Sequence, residues 1–414
     1  MSSVSPLARG LLWAALLTLA VAIVFAPVAQ GSMYVWSLTG LRLLVALAIA
    51  LTGAAFAAGA RLNAPPAAPT AFLGAFLVFA AISAALSPNP FGSQQALLNL
   101  LVHGSGFFLV AVLATGVRQR QLLIGSVFLA AVVMGLYGVA QLLGFGFTPS
   151  VAAPAFDRVS STYFNYAHYA GFLDLVAPLA LAGALMAPRR VTRTWAALLA
   201  LLLYLSAGLT FSYAGWGSLG LATVLLLWWW GVRGPNGTSR SRAAVVASLF
   251  LAGLLVVGAF VSFSPRLDGT LSQRLVQLLG ERDETGALTG EGLGRFGDRL
   301  TIFGITLPIV REHPWFGVGP GNFIYAVTEF RLETAEINRY ALASHKFVNY
   351  AHNDYLQVAS EEGIFALAAF VTFWFAVLAW YRLPSPWLVG AKFGLLAILV
   401  HGLMDGNLTV NHGA

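Results

Sequence analysis

Between His345 and Gly363 lies the sequence's densest run of groups able to move protons or hold ions. It comprises His345, Lys346, Asn349, Tyr350, His352, Asn353, Asp354, Tyr355 and Gln357, then Glu361 and Glu362. An apolar stretch follows at once, so the run sits at the edge of something hydrophobic. Capping of a helix start accounts for Asn353 or Asp354, but not for His352. A zinc pair made of His345 and His352 would need both on one helical face, and seven residues apart is not the His-x-x-x-His spacing. A neutral imidazole at such an edge is well suited to taking a proton from a hydroxyl group. His352 is therefore the candidate general base, and no metal or other cofactor is expected.

A second set of polar residues interrupts long apolar runs: Arg42, His103, Asp174, His401 and Asp405. A charge in lipid costs at least a few kcal/mol unless it is paired or hydrated, so such residues are functional candidates by default. His401 and Asp405 are four residues apart and share a helical face. Two structural pairings stay open: a buried Arg42–Asp174 ion pair, and an Asp405 that only orients His401. Lys392, nearer the other membrane face, reads as a snorkelling residue.

These residues need a scaffold, and composition says which. Of 414 residues 58% are hydrophobic and 9% charged, against roughly 25% charged in soluble domains, which excludes a soluble enzyme. Zero cysteines exclude disulfides, iron–sulfur clusters and thiolate zinc sites. Apolar runs long enough to span lie near 8–26, 34–59, 70–86, 97–116, 122–144, 166–187, 195–212, 214–231, 243–263, 355–381 and 387–404. In lipid the backbone must satisfy its own hydrogen bonds, so these are helices. The fold class is all-α: a polytopic integral membrane protein of about 11–12 transmembrane helices. Residues 1–263 hold the first nine spans, 264–352 a long loop with amphipathic helices, and 353–414 the last spans.

All 16 acidic residues follow position 156. Arginines fill alternate connections: Arg9; Arg61; Arg118 and Arg120; Arg189, Arg190 and Arg193; Arg233, Arg240 and Arg242; Arg382. The loops between hold only Arg158. The positive-inside rule then puts the N-terminus in the cytoplasm and 264–352 outside. Reading the first run as a signal peptide would spoil that alternation. Eleven spans leave the C-terminus outside, and an even number would need one more returning helix. The net charge of +7 is spread over short loops, so no nucleic-acid partner is expected. Arg42, His103, Asp174, His401 and Asp405 then all fall in the outer half of the membrane, where they share a polar cavity with the long loop.

That loop carries ten of the 16 acids and nine of the 23 basic residues, which marks it as solvated. Residues 298–312 and 323–337 show the periodicity of amphipathic helices. Between them run His313, Pro314, Trp315, Phe316, Gly317, Val318, Gly319, Pro320, Gly321 and Asn322. Without a preceding strand the glycines are not a nucleotide fingerprint. They make either a tight turn or a nest of backbone N–H groups that holds an anion.

These segments resemble the O-antigen ligase and polymerase superfamily. The resemblance rests on His313 to Phe323, on Tyr350-Ala351-His352-Asn353-Asp354-Tyr355-Leu356-Gln357 and on Glu362-Gly363. Arg158-Val159-Ser160-Ser161-Thr162-Tyr163-Phe164-Asn165 looks like the family's Arg-x-x-Gly-Thr-Phe-x-Asn segment, with Ser161 where glycine is usual. His401 and Asp405 resemble the His and Asp near the family's last helices. The likeness spans about residues 150 to 405.

The resemblance implies a GT-C-like, inverting, metal-independent glycosyltransferase in the bacterial inner membrane, its site facing the periplasm. It would move a glycan from undecaprenyl diphosphate to an acceptor hydroxyl, on lipid A–core in ligases. His352 matches the family's loop histidine, and Arg158 and Arg299 match arginines that would hold the diphosphate. Tyr213 stands where the family commonly has arginine; either Arg42 or Arg158 supplies that charge, or the donor is held differently. Asn353, Asp354, Tyr350, Asp174, His401, Asp405 and Tyr213 are the supporting residues. A polyprenyl diphosphate carries its own activation energy, so the site needs arginine forks rather than ATP. Rival readings are a glycan polymerase, a transferase acting on protein hydroxyls and, from another class, a secondary transporter. No inverted repeat supports the last.

Overall fold

The computed structural model describes residues 5–145, 158–233, 291–330, 348–380 and 385–409. The expected span at 243–263, the stretches 264–290 and 331–347, and His345 and Lys346 lie outside the described residues. Every regular element among the described residues is helical. They are α1 (Pro6–Val28), a 3-10 turn (Gln30–Ser32), α2 (Val35–Ala57), α3 (Ala67–Leu86), α4 (Pro90–Leu113), α5 (Val117–Leu142), α6 (Tyr166–Met186), α7 (Arg190–Leu209) and α8 (Tyr213–Arg233). After these come α9 (Glu291–Glu312), α10 (Phe323–Phe330), α11 (Asp354–Glu361), α12 (Gly363–Trp380) and α13 (Pro386–His401).

Among the described residues, helices α1 to α7 and α12, eight in all, are long and apolar enough to cross a membrane, as a polytopic membrane protein requires. A 23-residue helix such as α2 is about 34 Å long, enough for a hydrocarbon core of about 30 Å. Helix α13 is apolar but shorter, at 16 residues. Starts follow local chemistry: Ser5 caps α1 with Pro6 at its first turn, Asn89 caps α4 with Pro90 beside it, and Asn165 caps α6. Helix α4 begins seven residues before the expected start at 97, because the polar stretch Ser93 to Gln95 belongs to the helix.

Helix α6 is the centre of the bundle. Within its span 78% of the residues are buried, against at most 39% in any other of the eight. It packs along α13, α7 and α8, while α1 packs along α2 and α5, and α3 along α12. The α6–α13 contact is a small-residue seam of the kind that holds membrane helices together without a hydrophobic driving force. A Cβ on Gly390 would stand 2.5 Å from the Leu179 Cα, and one on Gly394 would collide with the Leu175 carbonyl.

The expected span at 355–381 is two helices. The chain breaks at Glu362, and Gly363 is left-handed at φ +86°. A side chain at Gly363 would strike the backbone of Trp315 and Phe316. Outside the spans, Ile302, Ile305 and Ile309 of α9, Val318, Phe323 and Val327, and Val348 and Ala351 form a separate small core. That core joins the segment leading into His352 to the amphipathic helices. Of the expected 323–337 helix, α10 covers Phe323–Phe330 and the remainder lies outside the described residues.

Candidate active site

The site is assembled where the segment 350–356 meets the C-terminal end of α13. Asn353 caps α11, its Oδ1 accepting the N–H groups of Tyr355 and Leu356 at 2.9 and 3.0 Å. Its Nδ2 donates to the Leu403 carbonyl at 3.0 Å, and the Tyr355 hydroxyl donates to the Leu399 carbonyl at 2.7 Å. Asp354 does different work. Its N–H donates to the Gly402 carbonyl, and its carboxylate accepts from the N–H groups of Asn407, Leu408 and Thr409 and from the Thr409 hydroxyl at 2.7 Å. The chain after α13 is thus wrapped around one buried carboxylate. Burial pushes that carboxyl up to about 6, against the opposing pull of these hydrogen bonds.

This wrapping presents Asp405. Its Oδ1 lies 3.1 Å from His352 Nδ1 and accepts the Gly406 N–H, and its Oδ2 accepts from Arg299 at 3.2 Å. Asp405 is 3% exposed, while His352 and Arg299 keep 21% and 24% of their side chains accessible. A carboxylate held under two groups that still reach solvent orients them both. With Nδ1–H donating to Asp405, the lone pair of the imidazole is on Nε2, which is the base-competent tautomer. His352 is left-handed at φ +51°, a conformation uncommon for side chains other than glycine. The Ala351 N–H, bonded to Gln357 Oε1 at 2.7 Å, and the Asn353 cap fix the chain on either side of it. The Tyr350 ring lies 4.0 Å from the imidazole, centroid to centroid.

Arg158 enters from the segment before α6. Its guanidinium stacks on Tyr166 at 4.6 Å, and Tyr166 lies within electrostatic reach of Tyr350, as Arg299 and Asp405 do. The segment is pinned on several sides. The Val159 N–H donates to the Leu209 carbonyl, and Thr162 Oγ1 donates to the Pro27 carbonyl at 2.8 Å. Ser161, the residue in the glycine position, is left-handed at φ +53°. Its hydroxyl donates to the Met134 carbonyl, and its backbone exchanges two bonds with the Gln141 carboxamide. The position requires a positive φ, and hydrogen bonding lets serine adopt one.

The intramembrane charges pair differently from the sequence alternatives. Asp174 Oδ2 accepts from His401 Nδ1 and Ser218 Oγ, both at 2.7 Å and all buried. The partners of Asp405 are His352 and Arg299 rather than His401. Arg42 bonds to Asn99 and Gln95 on α4. Tyr213 packs edge-on against Trp216 at the start of α8. Sequence reasoning missed His168 and Asn407, whose side chains meet at 3.3 Å. His168 also lies within electrostatic reach of Asp405, His401 and Arg299. The rule that singles out Asp174 applies equally to His168, six residues earlier in the same helix.

The glycine turn is structural, and its nest is filled from within. The N–H groups of Gly317, Val318 and Gly319 donate to the carbonyls of His313, Ser360 and Glu361. Those of Phe323 and Gly321 hold the Glu361 carboxylate, the former at 2.9 Å. The anion in the nest is therefore the chain's own. Burial raises both Glu361 and Glu362, and the charge of Glu361 raises Glu362 further.

Residues 197–371 match the family model described as O-antigen ligase. The match runs from α7 into α12 and takes in Arg299, the glycine turn and His352. It supports membership of the chain in the O-antigen ligase superfamily, a family of ligase- and polymerase-type glycan transferases that use lipid-linked glycans. No curated protein matches the chain.

Proposed function

We propose that this protein is an inverting, metal-independent glycosyltransferase of the ligase type. It moves a glycan from undecaprenyl diphosphate to a hydroxyl of lipid A–core at the periplasmic face of the bacterial inner membrane. The observation that carries the reading is Asp405 bridging His352 and Arg299. It couples a base-competent imidazole to a guanidinium at one end of a membrane bundle.

The chemistry balances on the chain's own side chains. His352 Nε2 takes the proton of the acceptor hydroxyl as its oxygen attacks the anomeric carbon, and the bond from that carbon to the diphosphate oxygen breaks. Asp405 stabilises the imidazolium that forms, as the carboxylate does in a His–Asp pair. Arg299 and Arg158 offer donor forks to the leaving diphosphate. Inversion needs the base and the leaving group on opposite sides of the sugar. In this reading the arginines, rather than a divalent ion, are the charge offered to the leaving group.

The experiment is transfer by the purified protein given a lipid-linked donor and, in parallel, lipid A–core, a growing glycan or a protein acceptor. Product on lipid A–core, lost in His352→Ala while the donor still binds, supports the reading. Product on another acceptor reassigns the acceptor, and full transfer by His352→Ala overturns the mechanism.

A further inference from the structure

Arg42 makes its hydrogen bonds to α4 and not to the Asp405 cluster. Helix α2 lies along α1 and α4, and the guanidinium reaches across to α4. Nε and one terminal nitrogen donate to Asn99 Oδ1 at 3.2 and 2.6 Å, and the other donates to Gln95 Oε1 at 3.4 Å. Three cationic groups elsewhere in the bundle meet carboxylates: Arg299 and His352 meet Asp405, and His401 meets Asp174. Arg42 meets two neutral carboxamides and, among the described residues, no carboxylate. Amide oxygens orient a guanidinium without neutralising it. Of its five N–H donors, two remain after these bonds.

The surroundings extend this charge into a polar stripe. Gln95, Asn99 and His103 follow one another at four-residue spacing and so lie on one face of α4. Asn99 is buried, Gln95 and His103 are exposed, and Arg42 is half-buried. With its carbonyl oxygen turned to Arg42, Gln95 has its NH2 group left to donate. His103 Nδ1 donates to the Asn99 carbonyl at 2.8 Å, so Nε2 of the neutral ring is an acceptor and His103 borders the site without donating to an oxyanion. The stripe starts at the same end of the bundle as the glycine turn, because Ser93 at the start of α4 donates to the Pro320 carbonyl at 3.1 Å. From Gln95 to His103 it runs about 12 Å along the helix.

We propose that Arg42, with the Gln95 carboxamide beside it, binds the phosphate group of a membrane lipid. A planar fork with unneutralised charge and a flanking amide donor suits a phosphate oxyanion, and exposed Gln95 and half-buried Arg42 are reached from outside the bundle. The chemistry is common to an anionic phospholipid headgroup and to a polyprenyl phosphate carrier. The site needs neither His352 nor any transfer step, so it stands or falls apart from the proposed reaction.

The test is native mass spectrometry of the purified full chain exposed separately to phosphatidylglycerol, undecaprenyl phosphate, inorganic phosphate and diacylglycerol. The parent should retain an anionic lipid and not diacylglycerol. Occupancy should fall about tenfold or more in Arg42→Gln and less in Arg42→Lys. Preferential retention of undecaprenyl phosphate identifies a carrier site, and equal retention of both lipids identifies a headgroup site. Displacement of either by inorganic phosphate supports recognition of the phosphate itself. Equal lipid retention by the parent and Arg42→Gln, or retention of diacylglycerol as strong as that of the phospholipid, overturns the proposal. If Arg42→Gln does not fold, Gln95→Leu decides: it keeps the charge but removes an orienting oxygen and a donor, so unchanged occupancy in it also overturns the proposal.

Discussion

Asp405→Asn is the sharpest perturbation of the proposed transfer site, because it removes one charge and almost no volume. Asn keeps one oxygen, which can serve either the two donors on Oδ1, His352 Nδ1 and the Gly406 N–H, or Arg299 on Oδ2, but not both sides. It cannot stabilise an imidazolium, and its NH2 group would face either His352 or Arg299. Hydrogen bonds to charged groups contribute about 1.5–3 kcal/mol each, and the pair here is shielded, with Asp405 only 3% exposed. Losing the His352 bond alone would cost roughly 10- to 150-fold in the chemical step. Losing the correct tautomer as well brings the expected fall to about 10²–10⁴-fold, the range of a general base. The assay is single-turnover transfer from a labelled lipid-linked donor, with donor binding measured separately. A loss confined to turnover assigns Asp405 to His352, and a loss confined to donor binding assigns it to Arg299. A folded Asp405→Asn protein that transfers within about threefold of the parent rate, far inside that range, would refute the reasoning.

Arg158→Ala and Arg299→Ala should each weaken donor use by about 1–3 kcal/mol, with only partial rescue by lysine, which lacks the fork; parental donor turnover in both variants would place the anion site elsewhere. Acidification should raise stability. The folded-state carboxyls of Asp354, Glu361 and Glu362 lie above their ordinary values, so the stability they contribute is full at low pH and is lost as pH rises, for Asp354 through about 6. Thermal unfolding should therefore occur at a higher temperature at mildly acidic than at neutral pH, with Glu361→Gln flattening the trend. For orientation, a cysteine at exposed Glu312 should react with an impermeant thiol reagent outside intact cells and one at exposed Arg61 should not; the reverse pattern would invert the topology and the donor side with it.

Most of the scaffold is legible in the sequence, because a run of about 20 apolar residues in lipid has few alternatives to a helix. What escapes is backbone detail. The break at Glu362–Gly363 lies between two helical stretches and depends on a positive φ and on the Trp315 backbone lying against it, neither visible in periodicity. The residue types of the site are legible too: His352 and Asp405 draw attention by charge at a hydrophobic edge, and Arg299 and Arg158 through the family resemblance. Their pairing is not. Four-residue spacing joins Asp405 to His401 only while the helix continues, and α13 ends at His401. Beyond that point Asp354 holds the chain by its backbone N–H groups, and Asp405 turns to partners 53 and 106 residues away in sequence.

The strained backbone at His352 and the buried carboxylate of Asp354 belong to one argument about rigidity. A side chain held in the left-handed region costs on the order of 1–3 kcal/mol, and such positions persist only where surrounding contacts over-determine them. A turn that merely reversed the chain would be better served there by glycine. Here the Gln357 bond to Ala351, the Asn353 cap and the Asp354 clamp on residues 407–409 fix both sides of the His352–Asp405 contact independently. Neither partner can then drift to relieve the strain, and Nδ1 stays on the carboxylate while Nε2 stays available. His352→Gly should on this argument stabilise the fold and abolish transfer together, and a glycine variant less stable than the parent would show that the imidazole, rather than the turn, is what holds this segment in place.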